Sequence, residues 1–362
     1  MLRKGTFILM KTKIQDMTSG SPGRLIILFA IPLMLGNICQ QLYTMVDTMV
    51  VGQIAGVEAL AALGAVDFLM WVVTGISTGL TQGFSIQLSQ YYGAKNFENL
   101  RKSLAHSYRL TAFIAVGVFI LSQSFASLIL TGLHTPSNII GMSLLYLRII
   151  FCGIPATAAY NMFASALRAM GNSKTPLTAM IIASVLNVSL DILFVAGFGW
   201  GVAGAAIATV IAQSFSAVYC FLILRRIDIV HLTKTDFMPA SGMNARLMKL
   251  GIPVVFQNII IGVGGLVVQY VINGYGFLFV AGFTATNKLY GLLEMAAISY
   301  GYAIVTYVGQ NLGAGKIDRI RKGVRSSMLL SLLTSLIISA AMFLFGKNIL
   351  SLFISGEPQQ TQ

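Results

Sequence analysis

Apolar runs of about 20 residues, the length needed to cross a bilayer as a helix, recur along the chain between short polar segments. This pattern predicts an all-α polytopic membrane protein with nine spans. The predicted spans are Leu25–Val51, Ala59–Leu88, Leu104–Leu121, Ile139–Leu167, Pro176–Ala196, Val202–Leu224, Leu247–Tyr270, Phe279–Leu312 and Val324–Leu344. Because proline interrupts helical hydrogen bonding, Pro155 is expected to kink the fourth span.

Charge gives the predicted spans an orientation. The chain is 56% hydrophobic and only 10% charged, with a mean hydropathy of +0.80, which excludes a soluble protein of one or two domains. Of its 24 Lys and Arg residues, 20 lie in alternate inter-span segments, and the intervening loops contain none. This positive-inside pattern predicts a multi-pass protein of the inner (plasma) membrane with residues 1–24 as a cytoplasmic tail. Anionic lipid, and no nucleic acid, is the expected partner of the net charge of +13.

Two stretches of the chain repeat. Pro32 and Asn37 correspond to Pro253 and Asn258 at an offset of 221, and QYYGAKN, from Gln90, corresponds to QNLGAGK at an offset of 220. A weaker match relates Pro136 to Pro358. A shared need for basic, glycine-containing turns explains part of this similarity, but the common offset favours an internal duplication.

The repeat divides the chain into two bundles. Because six spans separate the copies, both enter the membrane in the same direction, as parallel repeats related by an axis along the membrane normal. The predicted units are a complete six-helix bundle (25–225), a cytoplasmic linker (226–245) and a partial second bundle of about three helices (246–362). Counterparts of spans four to six are missing from the second copy, and we expect the same polypeptide or gene to supply them.

Acidic residues inside the apolar runs are the candidate functional groups. Asp47, Asp191 and Glu294 lie well within spans, and Asp67 is a less certain fourth. With a rise of about 1.5 Å per residue, Asn187 and Asp191 lie roughly 16 and 22 Å from the inner surface, and Thr209 lies roughly 20 Å from it. Two carboxylates, an amide and a hydroxyl at similar depth can bind Na⁺ or hold a proton.

A purely structural role is the alternative for each of these residues. A lone Asn or Thr commonly hydrogen-bonds a neighbouring helix. Two acids without Lys or Arg at their level favour function, because an unpaired carboxylate is costly in a bilayer. Gln40 and Tyr43 share a helix face with Asp47 and are candidate cavity-lining residues. Asn161 and Glu294 are further cavity candidates.

Enzymatic chemistry has no support in the sequence. Neither a phosphate-binding GxxxxGK[ST] loop nor a GxSxG elbow is present. The three histidines form no metal-ligand cluster, and the three cysteines lie in apolar runs. We therefore expect no cofactor beyond a coupling ion.

Several stretches together resemble a known family. They are MTSGSPGRLIILFAIPLMLGNICQQLYTMVDTMVVGQ, VEALAALGAV, ALRAMGNSKTP, the NxxxD of the fifth span, GVAGAAIAT and QNLGAGK. The chain resembles multidrug and toxic compound extrusion (MATE) transporters, especially the bacterial branch that includes DNA-damage-inducible protein F. This resemblance implies a twelve-span fold of two six-helix bundles, so the chain is expected to be C-terminally truncated.

The resemblance also implies a mechanism. It assigns Asp47, Asn187, Asp191 and Thr209 to a Na⁺ or H⁺ site and Pro32 to a bend of the first helix. The implied function is a cation-coupled antiporter that exports bulky, often cationic, drugs. One alternative is a lipid-linked oligosaccharide flippase, whose cavity should carry cationic side chains to hold a diphosphate. Another is a truncated fragment that inserts but does not transport.

Overall fold

The computed structural model describes residues 14–133, 135–273 and 277–351, without the side chains at 57, 68, 266, 269, 270, 272–290, 292, 293 and 345–351. Helices make up most of the described chain. They are α1 (Pro22–Ile54), α2 (Val57–Gly93), α3 (Phe97–Gly132), α4 (Ile140–Cys152), α5 (Ile154–Ala169), α6 (Lys174–Asp191), α7 (Gly201–Leu224), α8 (Met243–Asn273), α9 (Phe277–Gly313) and α10 (Ile317–Ser351). Residues 1–13 of the predicted tail and residues 352–362, with the predicted repeat position Pro358, lie outside the described residues.

The helices agree with the predicted fold class. No strand occurs in the described residues, so the all-α prediction is confirmed for them. Seven described helices are long and apolar enough to cross a membrane, and α4 and α5 together give an eighth span. That count leaves out α9, whose first half contains undescribed side chains. The nine-span total therefore stays a prediction.

The fourth predicted span is two helices. A bend of 45° separates α4 from α5 at Gly153, close to the predicted kink at Pro155. Pro155 lies in the first turn of α5, where a missing N–H costs nothing. Pro32 behaves differently, because α1 continues through it as one helix and buries it.

The third helix is longer than predicted, and its His106 side chain contacts the predicted linker (226–245). It begins at Phe97, where the Asn96 side chain accepts a hydrogen bond from the Asn99 N–H at 3.1 Å. Buried His106 places Nδ1 2.7 Å from Asn244 Oδ1 and Nε2 3.0 Å from the Met238 carbonyl oxygen. The segment between α7 and α8 and the first turn of α8 are therefore attached to α3 by contacts of the His106 side chain.

Replacing His106 by alanine is expected to loosen this segment. Each of the two lost hydrogen bonds contributes about 1 kcal/mol, so its open form should become roughly ten- to thirtyfold more populated. Trypsin cleavage at Lys234, followed by mass spectrometry under native conditions, measures this change. The exposed His231 of the same segment provides the control, and equal cleavage of H106A and H231A would contradict the attachment.

Helices α2 and α9 meet around an approximate two-fold axis. Ser89 and Gly309 are equivalent positions at the offset of 220, and they contact each other. A Cβ added to Gly93 would overlap the Gln310 carbonyl, and one added to Gly313 would overlap the Gln90 carbonyl. Such reciprocal contacts are those of a two-fold interface. The repeated motifs therefore lie against each other at the bundle end that carries most basic residues, which we call the basic end.

Two equivalent asparagines join the N-terminal half (α1–α7) to the C-terminal half (α8–α10). Asn258 of α8 donates to the Gly75 carbonyl of α2 at 3.1 Å. Asn37 of α1 donates to Ser299 Oγ of α9 at 3.2 Å, and this hydroxyl donates to the Met295 carbonyl, which is equivalent to Gly75. Equivalent asparagine side chains thus bridge both seams. The contact is direct at the α2–α8 seam and passes through the Ser299 hydroxyl at the α1–α9 seam.

The N-terminal strap, which we define as residues 15–20, crosses the basic end. The Gln15 N–H donates to the Gly171 carbonyl at 3.1 Å in the N-terminal half. The Met17 N–H donates to Gln310 Oε1 at 3.0 Å, and Asn311 donates to the Met17 carbonyl at 2.9 Å in the C-terminal half. The strap therefore ties the two halves together.

Candidate functional site

Two acidic side chains are buried inside the N-terminal half. Asp47 of α1 is 5% exposed and Asp191, the last residue of α6, is 0% exposed. Their charges are close enough to repel each other. Asp47 Oδ1 and both carboxylate oxygens of Asp191 have no hydrogen-bond partner among the described residues. Buried carboxylate oxygens need a proton or a cation to offset their desolvation.

An amide and a hydroxyl lie beside the pair. Asn187, one turn before Asp191 on α6, donates to Thr209 Oγ1 of α7 at 3.4 Å. Its own Oδ1 is buried and has no described partner. Asn187 and Thr209 are therefore in contact one helical turn from Asp191, which interacts electrostatically with Asp47. The free oxygens of these four residues are hard donors, the kind that suits Na⁺ or a shared proton.

The helix changes its hydrogen-bond register at this site. A π-helical turn, Ile192–Gly197, directly follows Asp191. Such turns are rare and occur frequently at functional sites. The sequence pattern predicted an ordinary helix through Ala196, because the register depends on packing with other helices and leaves no mark in the periodicity.

Tyrosines complete the surroundings of the pair. Tyr43 and buried Tyr146 both lie within electrostatic range of Asp47 and Asp191. Asp67 interacts electrostatically with Asp47 from α2. Tyr146 was not predicted as a site residue from the sequence, although it lies in the fourth predicted span, Ile139–Leu167. Its polar neighbour one turn earlier, Ser143, added no signal, because a lone hydroxyl in a span usually bonds to its own helix or to a neighbouring one.

A cavity of about 360 Å³ opens at the surface between α1 and α6; its lining includes Val46, the residue before Asp47, but neither Asp47 nor Asp191. Its lining combines one polar ring, Tyr43, with mostly apolar side chains; the others are Cys39, Leu42, Val46, Ile181, Ser184, Val185, Val188 and Ser189. The Tyr43 hydroxyl accepts from Gln213 Nε2 at 3.4 Å and also bonds to the exposed Gln40. Of the two predicted lining residues on α1, Tyr43 lines this cavity, and Gln40 contacts Tyr43.

The other predicted cavity residues lie elsewhere. Asn161 of α5 donates to Thr78 Oγ1 of α2 at 3.3 Å, inside the N-terminal half. Glu294 lies exposed on α9, and no described hydrogen bond or ion pair joins it to Asp47 or Asp191.

Comparisons with known proteins agree with this architecture. The MatE family model matches residues 32–193 and 253–358. The chain is 31% identical to the probable multidrug resistance protein YpnP of Bacillus subtilis, over 95% of this chain and 77% of that protein. It is 26% identical to the probable multidrug resistance protein NorM of Thermotoga maritima, over 92% and 72% of the two chains.

A solved structure has the same fold. It is an outward-facing conformation of a multidrug resistance MATE family transporter of the MOP superfamily, with a TM-score of 0.90 and 23% sequence identity. The superposition covers 97% of this chain and 78% of that one. With the family model matching most of the sequence and the helices superimposing on a known transporter, the chain belongs to the MatE family of membrane transporters.

Proposed function

We propose that this protein is a cation-coupled multidrug efflux antiporter that exports bulky, often cationic, organic compounds in exchange for Na⁺ or H⁺. The names of its relatives, which are multidrug resistance proteins, support export of drugs. The positive-inside distribution of Lys and Arg supports an inner (plasma) membrane location with a cytoplasmic N-terminus. The basic end is then the cytoplasmic end.

The buried carboxylate pair carries the proposal. Asp47 and Asp191 have unpartnered oxygens in the interior of a membrane bundle. A carboxylate pair for which the described residues supply no basic partner is costly in a bilayer, and binding and releasing a cation gives it a use. Asn187 and Thr209 supply the additional oxygens of that site, and a protein that never bound a cation would gain stability by replacing all four with apolar residues.

Exchange requires that cation and drug favour different conformations, because a ligand with equal affinity for both shifts nothing. A cation that neutralises Asp47 and Asp191 removes their mutual repulsion and lets α1 and α6 approach. The lining of the cavity between these helices includes Val46, the residue before Asp47, so its volume depends on whether the cation is bound. Pro32 is the point of α1 at which a missing hydrogen bond would let the helix bend.

The lining of that cavity favours drugs over the flippase substrate. Eight of its nine lining residues are neutral aliphatic, serine or cysteine side chains, and the ninth is Tyr43. A lipophilic cation can stack on the tyrosine ring and pack on the aliphatic groups. A lipid diphosphate needs cationic donors, which this lining lacks.

Reconstituted protein tests the proposed function. Purified chain in liposomes should move ethidium when a Na⁺ gradient or a pH gradient is imposed in separate runs, and the flux should stop when an ionophore collapses the gradient. We expect a flux several-fold above that of protein-free liposomes for at least one cation. Inserted, helical protein that moves no ethidium under either gradient would refute the antiporter.

We propose that the chain belongs to the DNA-damage-inducible protein F-like branch of the family, on the motifs MVDTMVVGQ and ALRAMGNSKTP.

A further inference from the structure

Four side chains of α7 form a line from the carboxylate pair towards the basic end. They are Thr209, Gln213, Ser216 and Cys220, and we call them the α7 polar stripe. Spacings of four, three and four residues place them on one helix face. Eleven residues separate the first from the last, a distance of roughly 17 Å along the helix. The stripe thus covers about half the thickness of a bilayer core.

Unpartnered polar atoms lie along this stripe. Ser216 is 0% exposed, and its Oγ has no hydrogen-bond partner among the described residues. Gln213 donates to Tyr43, but its buried Oε1 has no described partner either. Buried polar groups almost always have a partner, and ordered water supplies it where protein groups do not. Two such groups one turn apart are therefore positions at which bound water would complete the hydrogen bonding.

The stripe ends at an arginine. Tyr160 of α5 lies within electrostatic range of Tyr43, Cys220 and Arg168, so it connects the top of the stripe with its end. Arg168 also interacts electrostatically with Cys220. It lies in the last turn of α5, at the basic end. A positive charge thus lies near the end of the row of polar groups.

Arg168 is held in place by both halves of the protein. Within the N-terminal half, its NH2 group donates to Ser165 Oγ at 2.8 Å. From the C-terminal half, the Tyr302 ring of α9 lies against the guanidinium, 4.8 Å from ring centroid to Cζ. This cation–π contact exists only while α5 and α9 are close together.

We propose that the α7 polar stripe is a hydrated path by which the coupling cation leaves the Asp47–Asp191 pair, and that Arg168, held by Tyr302, is its plug. This inference rests on the proposed function. A fixed guanidinium raises an electrostatic barrier against Na⁺ or H⁺ in a narrow path. When the halves separate at the basic end, Tyr302 withdraws, Arg168 swings into water and the path opens. Cation release is thereby tied to the conformational change.

Cation leak in the absence of drug tests the plug. Liposomes containing the purified chain are given a pH gradient or a Na⁺ gradient, and a trapped pH dye or Na⁺ dye reports entry. R168Q should leak at least tenfold faster than wild type for one of the two cations, and Y302A should leak several-fold faster. Y302F keeps the aromatic face and R148Q removes an exposed arginine elsewhere, so both should remain as tight as wild type.

Second variants test the path. Adding Ser216→Val or Asp191→Asn to R168Q should return the leak to the wild-type level, because one blocks the stripe and the other removes the cation site. Tight R168Q and Y302A proteins with wild-type thermal stability would overturn the plug, and a leak that survives Ser216→Val would overturn the path. Ethidium transport by wild type is measured separately, so failure of the antiporter is distinguishable from failure of this inference.

Discussion

Changing Asp191 to asparagine is expected to abolish gradient-driven ethidium export and to leave the fold intact. Asp191 is fully buried and its two carboxylate oxygens lack described partners, so a bound cation or proton is what we expect to offset their desolvation. An amide of the same shape fits the space but neither ionises nor attracts a cation. Flux in liposomes should fall to the protein-free level, while the thermal unfolding midpoint should be equal to or above that of wild type, because a buried charge is gone.

A matched control separates this effect from loss of charge in general. Asp228→Asn removes an exposed acid from the segment between α7 and α8. It should export ethidium at the wild-type rate. If D191N retained more than half of the wild-type flux, the carboxylate pair would have no essential part in coupling.

A valine at Gly313 is expected to force the basic end open. A Cβ at this position would overlap the Gln90 carbonyl of α2, which is backbone and cannot rotate away. Overpacking of this kind costs about 3 kcal/mol. Because the contact is between the two halves, the least costly response is separation of α2 from α9. The closed arrangement should therefore lose most of its population.

Labelling of a buried strap position measures this opening. Met17 is 0% exposed and is enclosed by the strap contacts. With the native cysteines Cys39, Cys152 and Cys220 replaced by alanine, a Met17→Cys variant should react slowly with a water-soluble maleimide and at least tenfold faster when Gly313→Val is added. Gly117→Val, where an added Cβ meets no atom within 4 Å, is the control. Equal labelling in both backgrounds would show that the α2–α9 contact does not close this end.

The candidate cation site could be predicted from the sequence because acidic residues are unusual within apolar spans. Asp47 and Asp191 are acids in apolar runs, and helical rise places Asn187 and Thr209 at a comparable depth. In the structure, Asn187 and Thr209 are in contact one helical turn from Asp191. Neutral polar residues such as Ser216 gave no such signal, since a lone hydroxyl in a span usually bonds to its own helix. Only the lack of a described partner distinguishes it.

The packing between the halves was predictable only in part. Sequence comparison related QYYGAKN to QNLGAGK, but an offset does not reveal where the symmetry axis passes. It passes between these motifs, because Ser89 contacts its own equivalent, Gly309. The strap was hidden for another reason. It was predicted as part of a tail, and its contacts use backbone groups such as the Met17 carbonyl, which every sequence possesses.

The two seams between the halves differ in how closely their backbones approach each other. A rocking motion of the halves should therefore displace the helices of one seam more than those of the other. At the α2–α8 seam, a Cβ on Gly83 would overlap Gly251, so the two backbones touch. The equivalent positions at the α1–α9 seam are Ala303 and Ala30, each with a methyl group that keeps the backbones apart. Backbones in direct contact resist sliding of one helix past the other. Methyl groups and a relaying hydroxyl, as at the α1–α9 seam, allow such sliding. The α2–α8 seam is thus the natural fulcrum, and displacement will be largest along α1, the helix that bears Asp47.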